Sequence, residues 1–221
     1  MLKIGLTGGI ATGKSHVLSI LRQLGCHVID ADQVAREVVR PCRPAYHELV
    51  REFGAHILTA DGTIDRPQLA ELVFADAEKR HRLNAIVHPR VVQAIRRRLR
   101  HFETIDPQGI VVVDGALILE VGLEHLFDKL IVAYCPPDLQ VDRLMKRDRL
   151  TRQQALNRIR AQMPIDEKRA HADYVIDTSG SFDQTRQQVE RVFERIQKEF
   201  RPQPRSRSHH RGSGQRRERE P

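Results

Sequence analysis

Apolar residues fall along this chain in two rhythms. Short, mostly apolar runs at residues 2–6, 26–29, 110–113, 130–133 and 174–176 are too brief for helices. They read as strands buried on both faces of a sheet. Between and after them, apolar positions recur every three or four residues, which predicts helices over 14–24, 33–39, 45–53, 66–74, 76–87, 91–102 and 182–200, with a helical pair over 138–163. Strands alternating with helices predict an α/β fold with a parallel sheet flanked by helices. The alternation breaks once. Residues 33–107 carry helices and turns but no strand, which predicts a helical insertion between the second and third strands, with His88-Pro89 separating two of its helices. The expected partition is a core of residues 1–32, 108–136 and 164–200, the insertion at 33–107, and a helical lid at 137–163.

The first strand runs into Gly8-Gly9-Ile10-Ala11-Thr12-Gly13-Lys14-Ser15, which fits G-x-x-x-x-G-K-[ST]. Strand, glycine loop and helix in that order aim backbone N–H groups and a helix N-terminus at one point, which suits phosphate. Gly8 and Gly13 can adopt backbone angles closed to other residues and let an anion approach the main chain. In such a loop the lysine, Lys14, reaches the β- and γ-phosphates, and the Ser15 hydroxyl serves Mg²⁺.

The second strand ends at Asp30-Ala31-Asp32. A right-handed β-helix-β crossover brings that end to the same sheet edge as the phosphate loop. On an extended stretch, Asp30 and Asp32 share a face; one can accept a hydroxyl proton while the other orients it. Two acids after a strand also make an ordinary turn signal. The third strand closes on Asp114, a position suited to a second Mg²⁺ contact, often through water. Residues 115–120 then form a loop on the same edge. His88, before a proline, is either a polar turn residue or a hydrogen-bonding group at a cleft.

Residues 138–163 are rich in cations: Arg143, Lys146, Arg147, Arg149, Arg152, Arg158 and Arg160. Arg143 and Arg147, four apart, share a helix face. Arginines on a helical hairpin after a strand suit a lid that closes on a triphosphate and stabilises the charge in transfer. The run Arg96-Arg97-Arg98 with Arg100 has no interleaved aromatics and reads as the solvated face of an amphipathic helix.

Charge and composition then narrow the setting. Of the net +8, residues 201–221 hold seven Arg and two Glu, a balance of +5, which leaves +3 for residues 1–200. That tail has no aliphatic or aromatic residue and reads as a disordered, solvated extension; nucleic acid is not the expected partner. No apolar run approaches the ~20 residues of a membrane span, and no signal peptide is evident at the N-terminus. Cys26, Cys42 and Cys135 are few, odd in number and widely spaced. They point to reduced thiols and a cytoplasmic setting, with neither a zinc site nor a disulfide framework.

Several motifs, in order, resemble those of the dephospho-CoA kinase family over about residues 1–200. They are Leu6-Thr7-Gly8-Gly9-Ile10 with Gly13-Lys14-Ser15, Val28-Ile29-Asp30-Ala31-Asp32, His88-Pro89, residues 117–120, Arg147-Asp148, residues 158–162, and Ala172-Asp173-Tyr174-Val175-Ile176-Asp177. The resemblance implies a P-loop kinase fold with a helical CoA-binding insertion and a lid. It also implies phosphorylation of the ribose 3′-hydroxyl of dephospho-CoA by ATP with Mg²⁺. On this reading Asp32 is the general base. ATP is held by Gly8, Gly9, Ala11, Thr12, Gly13, Lys14, Ser15 and His16, with Arg143 and Arg147 gripping phosphates. Asp30, Asp32, His88 and Glu120 meet the acceptor, and Ser15 and Asp114 serve the metal. The chain departs from the family pattern at His16, where Thr is usual, at Ala116 and Leu119 for Pro and Phe, and at Thr178 for Asn. Two other classes stay open at this point: another P-loop small-molecule kinase, such as a nucleoside monophosphate kinase, and a nucleic-acid-binding ATPase suggested by the Arg-rich tail.

Overall fold

The computed structural model describes residues 1–74 and 76–200; the tail at 201–221, read above as a disordered extension, lies outside the described residues. Five strands, β1 (Leu2–Gly8), β2 (His27–Asp30), β3 (Ile110–Asp114), β4 (Lys129–Tyr134) and β5 (Tyr174–Asp177), form one parallel sheet in the order β2-β3-β1-β4-β5. Alternation along the strands supplies two faces. Ile4, Leu6, Val112, Ile131 and Ile176 pack on one side against Val17, Ile20 and Leu21 of α1 (Lys14–Gln23) and Val189, Phe193 and Ile196 of α9 (Phe182–Phe200). Val111, Val113, Leu130 and Val132 pack on the other side against Val34 of α2 (Ala31–Val38) and Val91, Ile95 and Leu99 of α5 (Ala77–Ile105). With helices on both faces, the strands have no solvent side to accommodate, which is why their sequences are runs rather than alternations.

Two smaller clusters stand apart from the sheet. Leu49 and Phe53 of α3 (Pro44–Phe53) meet Ile57 and Leu69 and Val73 of α4 (Arg66–Phe74). Val141 and Leu144 of α6 (Pro137–Asp148) meet Ala155 of α7 (Arg152–Arg160), with Ile10 and Ala11 of the glycine loop packed against them. The glycine loop therefore forms part of the small core of the α6–α7 pair.

Three expectations change. His88-Pro89 does not separate two helices; α5 runs through Pro89 for 29 residues. A proline inside a helix costs about 3 kcal/mol, but apolar residues on both sides of it anchor the helix. Leu83, Ile86 and Val87 pack on the α3–α4 cluster, while Val91, Ile95 and Leu99 pack on the sheet. Asp30 and Asp32 do not lie on one extended stretch, because α2 begins at Ala31. A helix absent from the sequence reading, α8 (Ile165–Ala170), lies between α7 and β5. Among the described residues no helix is long and apolar enough to cross a membrane. Cys26 and Cys135 are buried and free, and burial pushes the Cys26 thiol up to about 12.

Candidate active site

The C-terminal edge of the sheet gathers the chemistry. β1 leads into the glycine loop, and β2 and β3 end side by side, with Asp30 and Asp114 in register. Gly13 occupies the left-handed region, φ 81°, as the residue before α1, and no side chain caps that helix. Its first N–H groups are thus directed at the space above the loop, where the helix dipole favours an anion. A Cβ on Gly8 would lie 2.7 Å from the Ala133 carbonyl oxygen, so the close packing of this loop on β4 requires glycine. Thr12 is buried and donates to the Gly9 carbonyl at 2.9 Å, closing the turn from within.

Lys14 forms an ion pair with Asp114. Burial holds the Asp114 carboxyl above the ordinary carboxylate range, with Asp30 and Asp32 adding to the shift and Lys14 opposing it. Three acids and one lysine thus share this corner. Asp30 caps α2, its carboxylate accepting the Gln33 N–H at 2.8 Å. Asp32, in the first turn of α2, is exposed toward the cleft instead. The two acids differ in role because the helix begins between them.

A cavity of about 690 Å³ opens over the loop. Its walls include residues 9–16, Asp32, Ala116, Arg143 and Arg147 of α6, and Thr178, Gly180, Ser181 and Phe182 before and into α9. Gly8 is not in that wall; it supports the loop from beneath. Arg143 donates to the Thr178 hydroxyl at 3.2 Å and to its carbonyl oxygen at 2.6 Å. Arg147 is held by Asp148 at 2.8 Å, and the other Asp148 oxygen takes Arg158 at 2.8 Å. The hydrogen bond from Arg147 pulls the Asp148 carboxyl below its ordinary range.

A smaller, more apolar cavity of about 140 Å³ lies between α2, α5 and the loop after β3, lined by Ala31, Asp32, Asn84, His88, Leu117 and Val121 among others. Asp32 lines both cavities. The His88 Nε2 is buried without a hydrogen-bond partner among the described residues, so it is available to a ligand. Glu120 lines neither cavity. It is turned inward, one oxygen 2.7 Å from Lys168 Nζ and the other buried without a hydrogen-bond partner among the described residues, so it is set back from both cavities.

The departures from the family pattern find distinct places. His16 meets the ring of Phe182 edge-on at 4.7 Å, in the wall of the larger cavity. Leu119 is buried in the sheet core. The Thr178 hydroxyl lies 2.6 Å from the Thr12 carbonyl and 3.0 Å from that of Tyr134, tying the glycine loop to β4. The arginine run on α5 is only partly solvated: Arg98 pairs with Glu37, and Arg97, Arg98 and Arg100 line a shallow groove beside α2.

Sequence reading assigned no role to Gln162, Phe182 or Lys168. Gln162 ends one of the motifs noted above, yet its partner, the Ile10 N–H at 2.9 Å, is 152 positions away. Phe182, the most exposed of the large apolar residues, opens an amphipathic helix and gives no periodic signal of a cavity wall.

As to donors for a divalent cation, the corner offers the Ser15 hydroxyl and the Asp114 carboxylate, both oxygen, next to a phosphate-binding loop. Few protein oxygens completed by substrate phosphates and water suit Mg²⁺. Among the described residues no cluster of three or more His, Cys, Asp or Glu could hold a metal by itself.

Comparison with known proteins agrees with this geometry. The sequence profile of the dephospho-CoA kinase family matches residues 2–184. The chain is 48% identical over 193 residues to a dephospho-CoA kinase of Bacillus licheniformis, covering 87% of this chain and 96% of that one. It is 43% identical over 204 residues to the corresponding protein of Moorella thermoacetica, covering 92% and 96%. Among solved structures, dephospho-CoA kinase from Campylobacter jejuni superimposes with a TM-score of 0.68 at 30% identity, covering 89% of this chain and 98% of the other.

Proposed function

The chain belongs to the dephospho-CoA kinase family, and from that premise we propose that it transfers the γ-phosphoryl group of ATP to the ribose 3′-hydroxyl of dephospho-CoA, yielding coenzyme A and ADP. The observation that carries the assignment of sides is Asp32, the residue common to both cavities. The larger cavity takes ATP over the glycine loop. The smaller takes the acceptor, whose hydroxyl then meets the γ-phosphate beside Asp32. The insertion at 33–107 supplies the acceptor's outer wall, and 137–163 is the lid.

Phosphoryl transfer needs alignment and charge stabilisation more than covalent help from the protein. Backbone N–H groups of residues 9–15 and the Lys14 ammonium hold the triphosphate, Lys14 exchanging Asp114 for phosphate oxygen. Arg143 and Arg147 stabilise charge on the transferring group from the lid side. Asp32 accepts the hydroxyl proton as the new O–P bond forms. Ser15 and Asp114 would hold Mg²⁺, which supplies charge neutralisation for the β- and γ-phosphates. His88 donates to or accepts from the acceptor through its unpartnered Nε2.

The test is direct. Incubated with ATP, Mg²⁺ and dephospho-CoA, the protein should yield CoA by mass, one phosphoryl group heavier than the acceptor. Phosphorylation of nucleoside monophosphates without conversion of dephospho-CoA would overturn the reading.

A further inference from the structure

Lys168 on α8 has a fully buried side chain, 0% exposed. Lysine is almost never found so deep unless its ammonium is paired. Here Nζ lies 2.6 Å from the Ala116 carbonyl oxygen and 2.7 Å from Glu120 Oε1. Burial lowers the ammonium's pKa, and Glu120 opposes that shift. The same Glu120 oxygen accepts the Met163 N–H at 3.1 Å, and the Ala116 carbonyl also takes the Thr7 hydroxyl at 3.2 Å. The ammonium therefore ties α8 to the loop after β3, and the two acceptors it uses also take hydrogen bonds from β1 and from the chain leaving the lid. The residue before Met163 is Gln162, which holds the glycine loop through Ile10.

Packing alone does not explain the arrangement, since apolar residues of similar volume usually stabilise a buried site at least as well as an ion pair. Its location is more telling. Ala116 is in the wall of the ATP cavity; Leu117, Ile118 and Val121 are in the wall of the acceptor cavity; Asp114 lies two residues upstream.

We propose that Lys168 and Glu120 are positioning residues for the transfer: the pair holds the loop at 115–123 against the lid exit, so that the acceptor pocket and the lid arginines stay in register. Neither residue touches the reacting atoms. The inference rests on the kinase reading above. Misplacing reacting groups by about 1 Å can cost about 10²-fold in rate, and a slack wall between two substrates has that effect.

The experiment uses the full chain and three variants: Lys168→Met, Glu120→Gln, and the two combined. Thermal melting, ATP affinity by titration, and kcat and KM for dephospho-CoA are measured on each. Lys168→Met leaves a buried carboxylate unpaired and should melt lower than wild type. Its kcat should fall about 10- to 100-fold and its acceptor KM rise several-fold, with ATP affinity within about threefold of wild type. The double variant removes both charges and should regain melting temperature but not turnover, because Ala116 still lacks its anchor. A double variant that regained wild-type melting, kcat and acceptor KM together would reduce the pair to a strut and overturn the proposal. If Lys168→Met does not fold, the double variant and Glu120→Gln decide by the same criteria. A wild-type chain inert toward dephospho-CoA would instead remove the functional reading, before any variant is compared.

Discussion

The two sides of the cleft are built by different means. The side proposed for the nucleotide is floored by main chain: a contiguous loop, one uncapped helix N-terminus and a glycine at φ 81°. The side proposed for the acceptor is made of side chains from α2, from the middle of α5 and from the loop after β3, three segments separated by dozens of residues. A phosphate is recognised by generic N–H groups and positive charge, so its site tolerates almost any surrounding sequence. An acceptor of particular shape needs an assembled wall, and each part of that wall depends on how another element packs. Substitutions on the two sides should accordingly fail in different kinetic parameters.

The largest effect is expected where the sides meet. Asp32→Asn keeps size and some hydrogen bonding but cannot take the proton. It should lower kcat by about 10²–10⁴, or roughly 3–5 kcal/mol, with ATP affinity little altered. Near-normal turnover would show that alignment alone suffices here and that Asp32 is no base.

Next comes the nucleotide side. Arg147 is exposed and, among the described residues, held by its neighbour Asp148, so its removal should leave the fold intact. Arg147→Ala should depress kcat by about 10- to 10³-fold, since charge stabilisation acts mainly in the transition state. Unchanged turnover with unchanged ATP KM would make it a surface residue.

The acceptor side should respond more weakly and in another parameter. His88→Ala removes one uncommitted nitrogen from the acceptor wall. Loss of a single hydrogen bond of about 1–1.5 kcal/mol corresponds to roughly a tenfold rise in acceptor KM. The KM for ATP should hold steady; a matching rise there would mean that the two cavities are not separate sites.

The same division decides what was legible beforehand. The glycine loop, the five strands and the helical pair within 138–163 are local patterns, and each is found where its residues predict. Pro89 misled because a local breaker rule competed with apolar packing on both sides of it, and packing prevailed. Lys168 was illegible for another reason. It sits in Ile165-Asp166-Glu167-Lys168-Arg169, where charge is the local norm, and only the distant Glu120 and Ala116 make it an interior residue. Glu120 was assigned to the substrate because its motif lies on the catalytic edge. Motif position fixes the edge, but the direction of one side chain depends on what is packed beneath it.

The smallest effect should come from Asp30, two residues from the most sensitive position of all. Its carboxylate is committed to the Gln33 N–H as the cap of α2, and asparagine serves a helix N-cap about as well as aspartate. Asp30→Asn should therefore change melting by little and kcat by no more than about twofold, a modest figure because Asp30 also raises the Asp114 carboxyl. Asp30→Ala is the sharper probe. Without a cap it should cost about 1 kcal/mol of stability, and by fraying the turn that carries Asp32 it should lower kcat more than Asp30→Asn does. If Asp30→Asn instead lost activity as severely as Asp32→Asn, the cap would not be its main role. The proton would then pass between two acids rather than to one, and the boundary between the two sides of the cleft would have to be drawn through both.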